Sequence, residues 1–152
     1  MKIKKIIIVI LLLLIPLQMV GCSKAAESTE LTDEEYITVL MDILERNADG
    51  FRQIAALSED FEDADWEAKM NIELEKIGAA SLEYLEIKNV PEKYSKVHEH
   101  VTEAMSYHIL VVDSYPIKSA DQNVESFNIT TDYLTKGTAS IRKAMEELDK
   151  VK

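Results

Sequence analysis

Three histidines, a single cysteine and a dense run of carboxylates are the groups in these 152 residues that could carry chemistry. His98-Glu99-His100 has the composition of a metal site, but successive helical residues are rotated by about 100°, so positions two apart diverge. One ion cannot easily take both rings. His98 meets only Val101 and Thr102 a turn later, and His100 can pair only with Glu103. Two ligands are too few for a structural site. Neither His-Glu-x-x-His nor the Glu-x-x-His pattern of di-iron bundles is present, so no metal is expected. His108 falls on an apolar helical face, among Val111 and Val112, where a hydrogen-bonded core histidine is the expectation and a ligand contact the alternative.

The carboxylates cluster as Glu59, Asp60, Glu62, Asp63, Asp65 and Glu67. A calcium loop counted from Asp63 would need glycine where Ala68 stands and glutamate where Leu74 stands, so it fails. Acidic residues before a helix are better explained by the free N–H groups and positive end of its dipole. Thr131 and Thr138 are polar where an inward helical stripe expects leucine. They could line a small polar pocket together with His108, or bond back to carbonyls one turn earlier. For covalent catalysis there is no Gly-x-Ser-x-Gly elbow, and for phosphate binding no glycine-rich loop. No catalytic constellation, and no cofactor motif, remains.

The cysteine has a different setting. Lys2, Lys4 and Lys5 precede an apolar run from Ile6 to Ile15, then Pro16 and a short stretch ending Gly21-Cys22. The run is shorter than the roughly 20 residues a membrane span requires. Its charged, apolar, small-residue order is that of an export signal rather than an uncleaved anchor. Met19-Val20-Gly21-Cys22 resembles the lipobox of bacterial lipoprotein precursors, with Met19 in place of the usual leucine and Val20 bulkier than average. That resemblance implies residues 1–21 as a signal peptide, diacylglyceryl transfer to the Cys22 sulfur, and cleavage before Cys22. Two acyl chains would anchor stably where one gives reversible binding. No second cysteine exists for an intramolecular disulfide.

Charge narrows the partners. The precursor carries −11, and loss of the three leader lysines takes the mature chain to −14. Nucleic-acid binding rests on Lys and Arg against phosphate, so that class is excluded. Adhesion to anionic lipid by charge is disfavoured too, which leaves the lipid on Cys22 as the membrane contact.

The elements that must position these groups are helical. Residues 22–30 are small and polar and read as a flexible tether. Residues 31–152 form one domain, with helices expected at about 32–58, 63–88, 91–114 and 119–149. Thr32 and Glu35 have capping-box spacing, as do Ser119 and Gln122. Asn89-Val90-Pro91 and Tyr115-Pro116 interrupt the pattern. The inward stripe of the first helix is Ile37, Leu40, Leu44, Ala48, Phe51, Ile54 and Ala55. That of the fourth is Val124, Phe127, Thr131, Leu134, Thr138, Ile141, Met145 and Leu148, alternating three and four as a bundle seam does. Gly50, Gly78 and Gly137 all fall inside these helices, for close approach or for bending. The expected fold is all-α, an antiparallel up-down four-helix bundle after an N-terminal signal peptide.

With its lipobox and helix pattern, the chain resembles the small helical lipoproteins of Gram-positive bacteria. With no catalytic constellation in the chain, the expectation is a lipid-anchored helical binding or interaction protein on the outer membrane face, whose partner the sequence does not identify. The alternative is a ligand- or metal-binding receptor with a polar pocket inside the bundle.

Overall fold

A computed structural model of the chain describes residues 30–58, 65–115 and 123–151. The leader, Cys22 and the tether up to residue 29 lie outside the described residues, as do Ser119, Gln122 and the carboxylates from Glu59 to Asp63. The described residues form four long helices and no strand: α1 (Asp33–Leu57), α2 (Trp66–Leu85), α3 (Ser95–Ser114) and α4 (Val124–Lys150). The expected third helix is split, because residues Glu92–Tyr94 form a 3-10 turn after Pro91 before α3 begins. None of these helices is long and apolar enough to cross a membrane.

The caps follow from local chemistry. Glu35 N–H donates to Thr32 Oγ1 at 3.3 Å and Thr32 N–H to Glu35 Oε2 at 2.8 Å, the reciprocal pair expected at the start of α1. Asn89 takes φ = 60° in the corner after α2, a conformation asparagine tolerates well. Its carbonyl accepts from Leu31 N–H at 2.9 Å, which fastens the chain's entry to that corner. The start of α4 is capped by Asn123, whose side chain accepts from Ser126 N–H at 2.9 Å. At α2, Asp65 holds Lys69 N–H through its backbone carbonyl and makes no side-chain cap.

Consecutive helices pack together: α1 on α2, α2 on α3 and α3 on α4. Two apolar clusters result. Near the chain's entry, Tyr36, Leu40, Tyr84, Tyr94, Val101 and Leu148 share one core. Farther along α1, Ile54, Trp66, Met70, Leu74 and Ile77 share another. Between them lies a buried polar layer, Asn47 on α1, Ser81 on α2 and His108 on α3.

The buried stripes of α2 and α3 run from Trp66 through Tyr84 and from Val97 through Val111, with Tyr94 just before α3. Those of α1 and α4 are rotated. On α4 the buried residues are Thr130, Gly137, Ser140, Ala144 and Leu148, whereas Val124 is 77% exposed and Phe127, Leu134 and Met145 are each about two-fifths exposed. Small side chains let two helix backbones approach closely, and the polar ones among them find partners on α3. Thr130 Oγ1 donates to Ser114 O at 3.0 Å and Ser140 Oγ to Glu103 Oε2 at 2.9 Å. On α1 the buried face is Tyr36, Leu40, Ile43, Asn47, Gly50 and Ile54. Gly50 is required there, since an added β-carbon would stand 2.6 Å from Ile77 Cγ1.

Candidate functional site

The rotation of α1 and α4 creates the site. Leu44, Ala48 and Phe51 of α1, and Leu134, Thr138 and Ile141 of α4, flank a cleft of about 370 Å3 instead of interlocking. Asn47 and His108 complete its lining. A second hollow of about 240 Å3 continues it past Phe51 and Leu134 to Ile54, Tyr115 and Thr130. The groove is apolar almost throughout, and no charged side chain among the described residues lines the first hollow.

Among the described residues, His108 is the one titratable residue lining the first hollow, and it is 6% exposed. Its Nδ1 lies 3.0 Å from Asn47 Oδ1, which also accepts from Ser81 Oγ at 3.3 Å. Asn47 Nδ2 donates to Ile43 O at 3.4 Å, which orients the amide so that its oxygen faces the ring. An amide oxygen only accepts, so Nδ1 carries the proton and Nε2 the lone pair. Phe51 meets the ring edge-on, with centroids 4.9 Å apart. The Cδ2–Nε2 edge abuts Gly137. Burial pushes the ring's pKa down to about 4, so it is neutral at pH 7.

Nε2 accepts no hydrogen bond among the described residues. Nor is it sealed off, because Glu73 Oε2 is the one fully enclosed side-chain polar atom there without a partner. His108 is therefore a fixed, uncharged ring whose Nε2 edge rests against Gly137 of α4.

Of the other residues singled out in the sequence, Thr138 sits exposed at the groove and its hydroxyl donates to Leu134 O at 2.8 Å. Thr131 is exposed and lines neither hollow. The inward polar pair with His108 is thus not assembled: one threonine is at the rim and one is outside. Asn47 was missed, whereas Ser81 was expected inward on the second helix and Gly137 was read as a point of close approach or bending. The spacing Tyr36, Leu40, Ile43, Asn47 contained the signal for the first, a polar residue in phase with an apolar face.

His98 belongs to a separate chain of contacts. Tyr84 Oη lies 2.9 Å from both His98 Nδ1 and Tyr36 Oη. Burial lowers the His98 pKa and raises that of Tyr84, so all three are neutral near pH 7. A larger depression of about 550 Å3 runs between α1 and α2. Its cations are paired, Arg46 with Asp42 and Glu83, Arg52 with Asp49 and Lys76 with Glu73, so it is a solvated ion-pair surface.

Comparison with protein-family models, with curated proteins and with solved structures finds no match. The class that the described residues define is an all-α helical domain with an open apolar groove.

Proposed function

We propose that this chain is a lipid-anchored extracytoplasmic binding protein without catalytic activity, and that the groove between α1 and α4 is its working surface. The observation that carries the binding role is the unfilled cleft: two helices bring Leu44, Phe51, Leu134 and Ile141 to one place without closing over them. Unsatisfied apolar surface of this kind favours an occupant. Anchoring rests on the leader and on Gly21-Cys22. Short connections between consecutively packed helices support the antiparallel up-down arrangement.

In this reading the entry end, where Leu31 meets Asn89, is nearest the bilayer. Asn47 and Phe51 follow Asp33 by some four or five turns, about 21–27 Å along the helix axis. The groove would stand clear of the headgroups, and the acidic surface would keep it there.

Two measurements test this. Membrane-bound protein should yield an N-terminal peptide diacylated at Cys22, and Cys22→Ser should remain soluble or uncleaved. An unmodified Cys22 in mature membrane-bound protein overturns the anchor. Benzene titrated into the protein should shift the methyl resonances of Leu44, Leu134 and Ile141, and unmoved methyls overturn the groove.

A further inference from the structure

We propose that the groove between α1 and α4 is the contact surface for a second copy of this chain, and that two copies complete a further four-helix bundle built from α1 and α4 of each. This rests on the groove being the working surface and names its occupant. Seam pattern, area and charge point to the same chain rather than to an unrelated partner.

Both edge helices carry a bundle seam beside the face they bury. On α1, Met41, Leu44, Ala48, Phe51 and Ala55 are spaced three and four apart, each one residue past the buried face. On α4, Phe127, Thr131, Leu134, Thr138, Ile141 and Met145 repeat that spacing. Such alternation holds one stripe of a helix towards a partner helix over many turns. Met41, Phe127, Leu134 and Met145 are each about two-fifths to one-half exposed, and Ala48, Ala55, Thr131 and Thr138 are exposed as well. Two such stripes side by side make half of a bundle, and the half that completes it needs the same pair of stripes.

Direction permits the closure. The first hollow joins residues 44–51 of α1 to residues 134–141 of α4, and the second joins Phe51, Ile54 and Ala55 to Thr130 and Leu134. Rising numbers on one helix meet falling numbers on the other, which supports opposite directions. A twofold axis parallel to the helices then lays α1 of each copy against α4 of the other, so four helices alternate in direction around one seam. The same axis leaves both entry ends on one side, where two lipid tethers can share a membrane.

The area suffices. Helices of 25 and 27 residues are about 38–40 Å long, and two of them lie about 20 Å across. That footprint of about 800 Å2 per copy is what a stable dimer of standard size buries.

Charge sets the sign of the salt response. None of these seam positions is charged, although 30% of the chain is. Two copies of formal charge −11 repel at long range, while the surfaces that touch are neutral. Association should therefore tighten as salt screens the repulsion.

The test is sedimentation equilibrium of the full chain in density-matched detergent micelles, with circular dichroism as the check on folding. The wild type should reach a dimer and stop there. Leu134→Glu puts a carboxylate at a partly exposed seam position and should weaken the dimer at least about tenfold. Thr138→Leu adds apolar surface at an exposed seam position and should tighten it about fivefold or more. Leu82→Glu, at a more exposed apolar residue of α2 outside the seam, should leave it unchanged. In dilute, monomeric protein benzene should still move the methyls of Leu44, Leu134 and Ile141, and dimerisation should compete with it.

A dimer indifferent to Leu134→Glu and Thr138→Leu, or one that salt weakens, uses another surface and overturns the proposal. Open-ended association overturns the twofold closure. A monomer at every concentration whose methyls still move with benzene overturns the second copy and leaves the groove. A monomer with unmoved methyls overturns both.

Discussion

Gly137 lies against the His108 ring so closely that a β-carbon added there would stand 2.9 Å from Cδ2 and 3.0 Å from Nε2. The ring cannot retreat easily, with Asn47 on its far nitrogen and Phe51 at its edge. Gly137→Ala should therefore destabilise the domain by about 1–2 kcal/mol, because overpacking outweighs the roughly 1 kcal/mol gained in helix propensity. Gly78 is the control. Its nearest neighbour, Val112, would stand at an ordinary 3.8 Å, so Gly78→Ala should stabilise by up to about 1 kcal/mol. Thermal unfolding of the pair should give midpoint shifts of opposite sign.

Stability should fall between pH 6.5 and 4. The His108 pKa drops on folding from its ordinary 6.5 to about 4, so in that window the unfolded chain takes up a proton that the folded chain refuses. The stabilisation is complete above the unfolded value and is lost as the pH falls towards the folded one. The cost is on the order of 2–3 kcal/mol, to which half-buried His98 adds in the same direction. Glu35, Glu83 and Glu147 have carboxyls held below 4.5 by their hydrogen-bond partners, so their contribution is lost only at lower pH. Urea midpoints at pH 7 and pH 5 should differ, and His108→Gln should flatten the difference.

Tyr84 hydroxyl removal should cost more than Tyr36 hydroxyl removal. Tyr84 Oη is the middle of the chain from Tyr36 to His98, so Tyr84→Phe strands both ends in a buried setting, at about 2 kcal/mol. Tyr36→Phe breaks one contact and leaves the Tyr84–His98 bond, at about 1 kcal/mol. Equal losses in chemical denaturation would show that the His98 contact contributes nothing.

Thr131→Val with Thr138→Val should change stability by no more than about 0.5 kcal/mol. Both side chains are exposed and the Thr138 hydroxyl serves its own helix through Leu134 O. A loss of several degrees in the unfolding midpoint would show that the two threonines support buried structure.

The helices were legible because their signals are local. Thr32 and Glu35 are three residues apart, Asn89 precedes a proline corner, and the apolar spacing of α2 and α3 specifies the face each buries. His108 was legible as a buried, hydrogen-bonded histidine for the same reason. The groove was not. Its residues were identified as inward, since Leu44, Phe51, Leu134 and Ile141 are the large apolar members of their stripes, but a stripe does not reveal whether the facing helix will close on it. That depended on the competition at α4 between two faces. The small face, Gly137, Ser140 and Ala144, packs on α3, where backbones come close and Ser140 finds Glu103. The large apolar face was left to flank α1. Asn47, Ser81 and Gly137 acquire their roles only across helices, 29 to 61 residues apart in sequence from the groups they touch. Sequence periodicity specifies which side of a helix is apolar; which side touches a given neighbour depends on the size and polarity of atoms on another helix, and that is decided only when the chain packs.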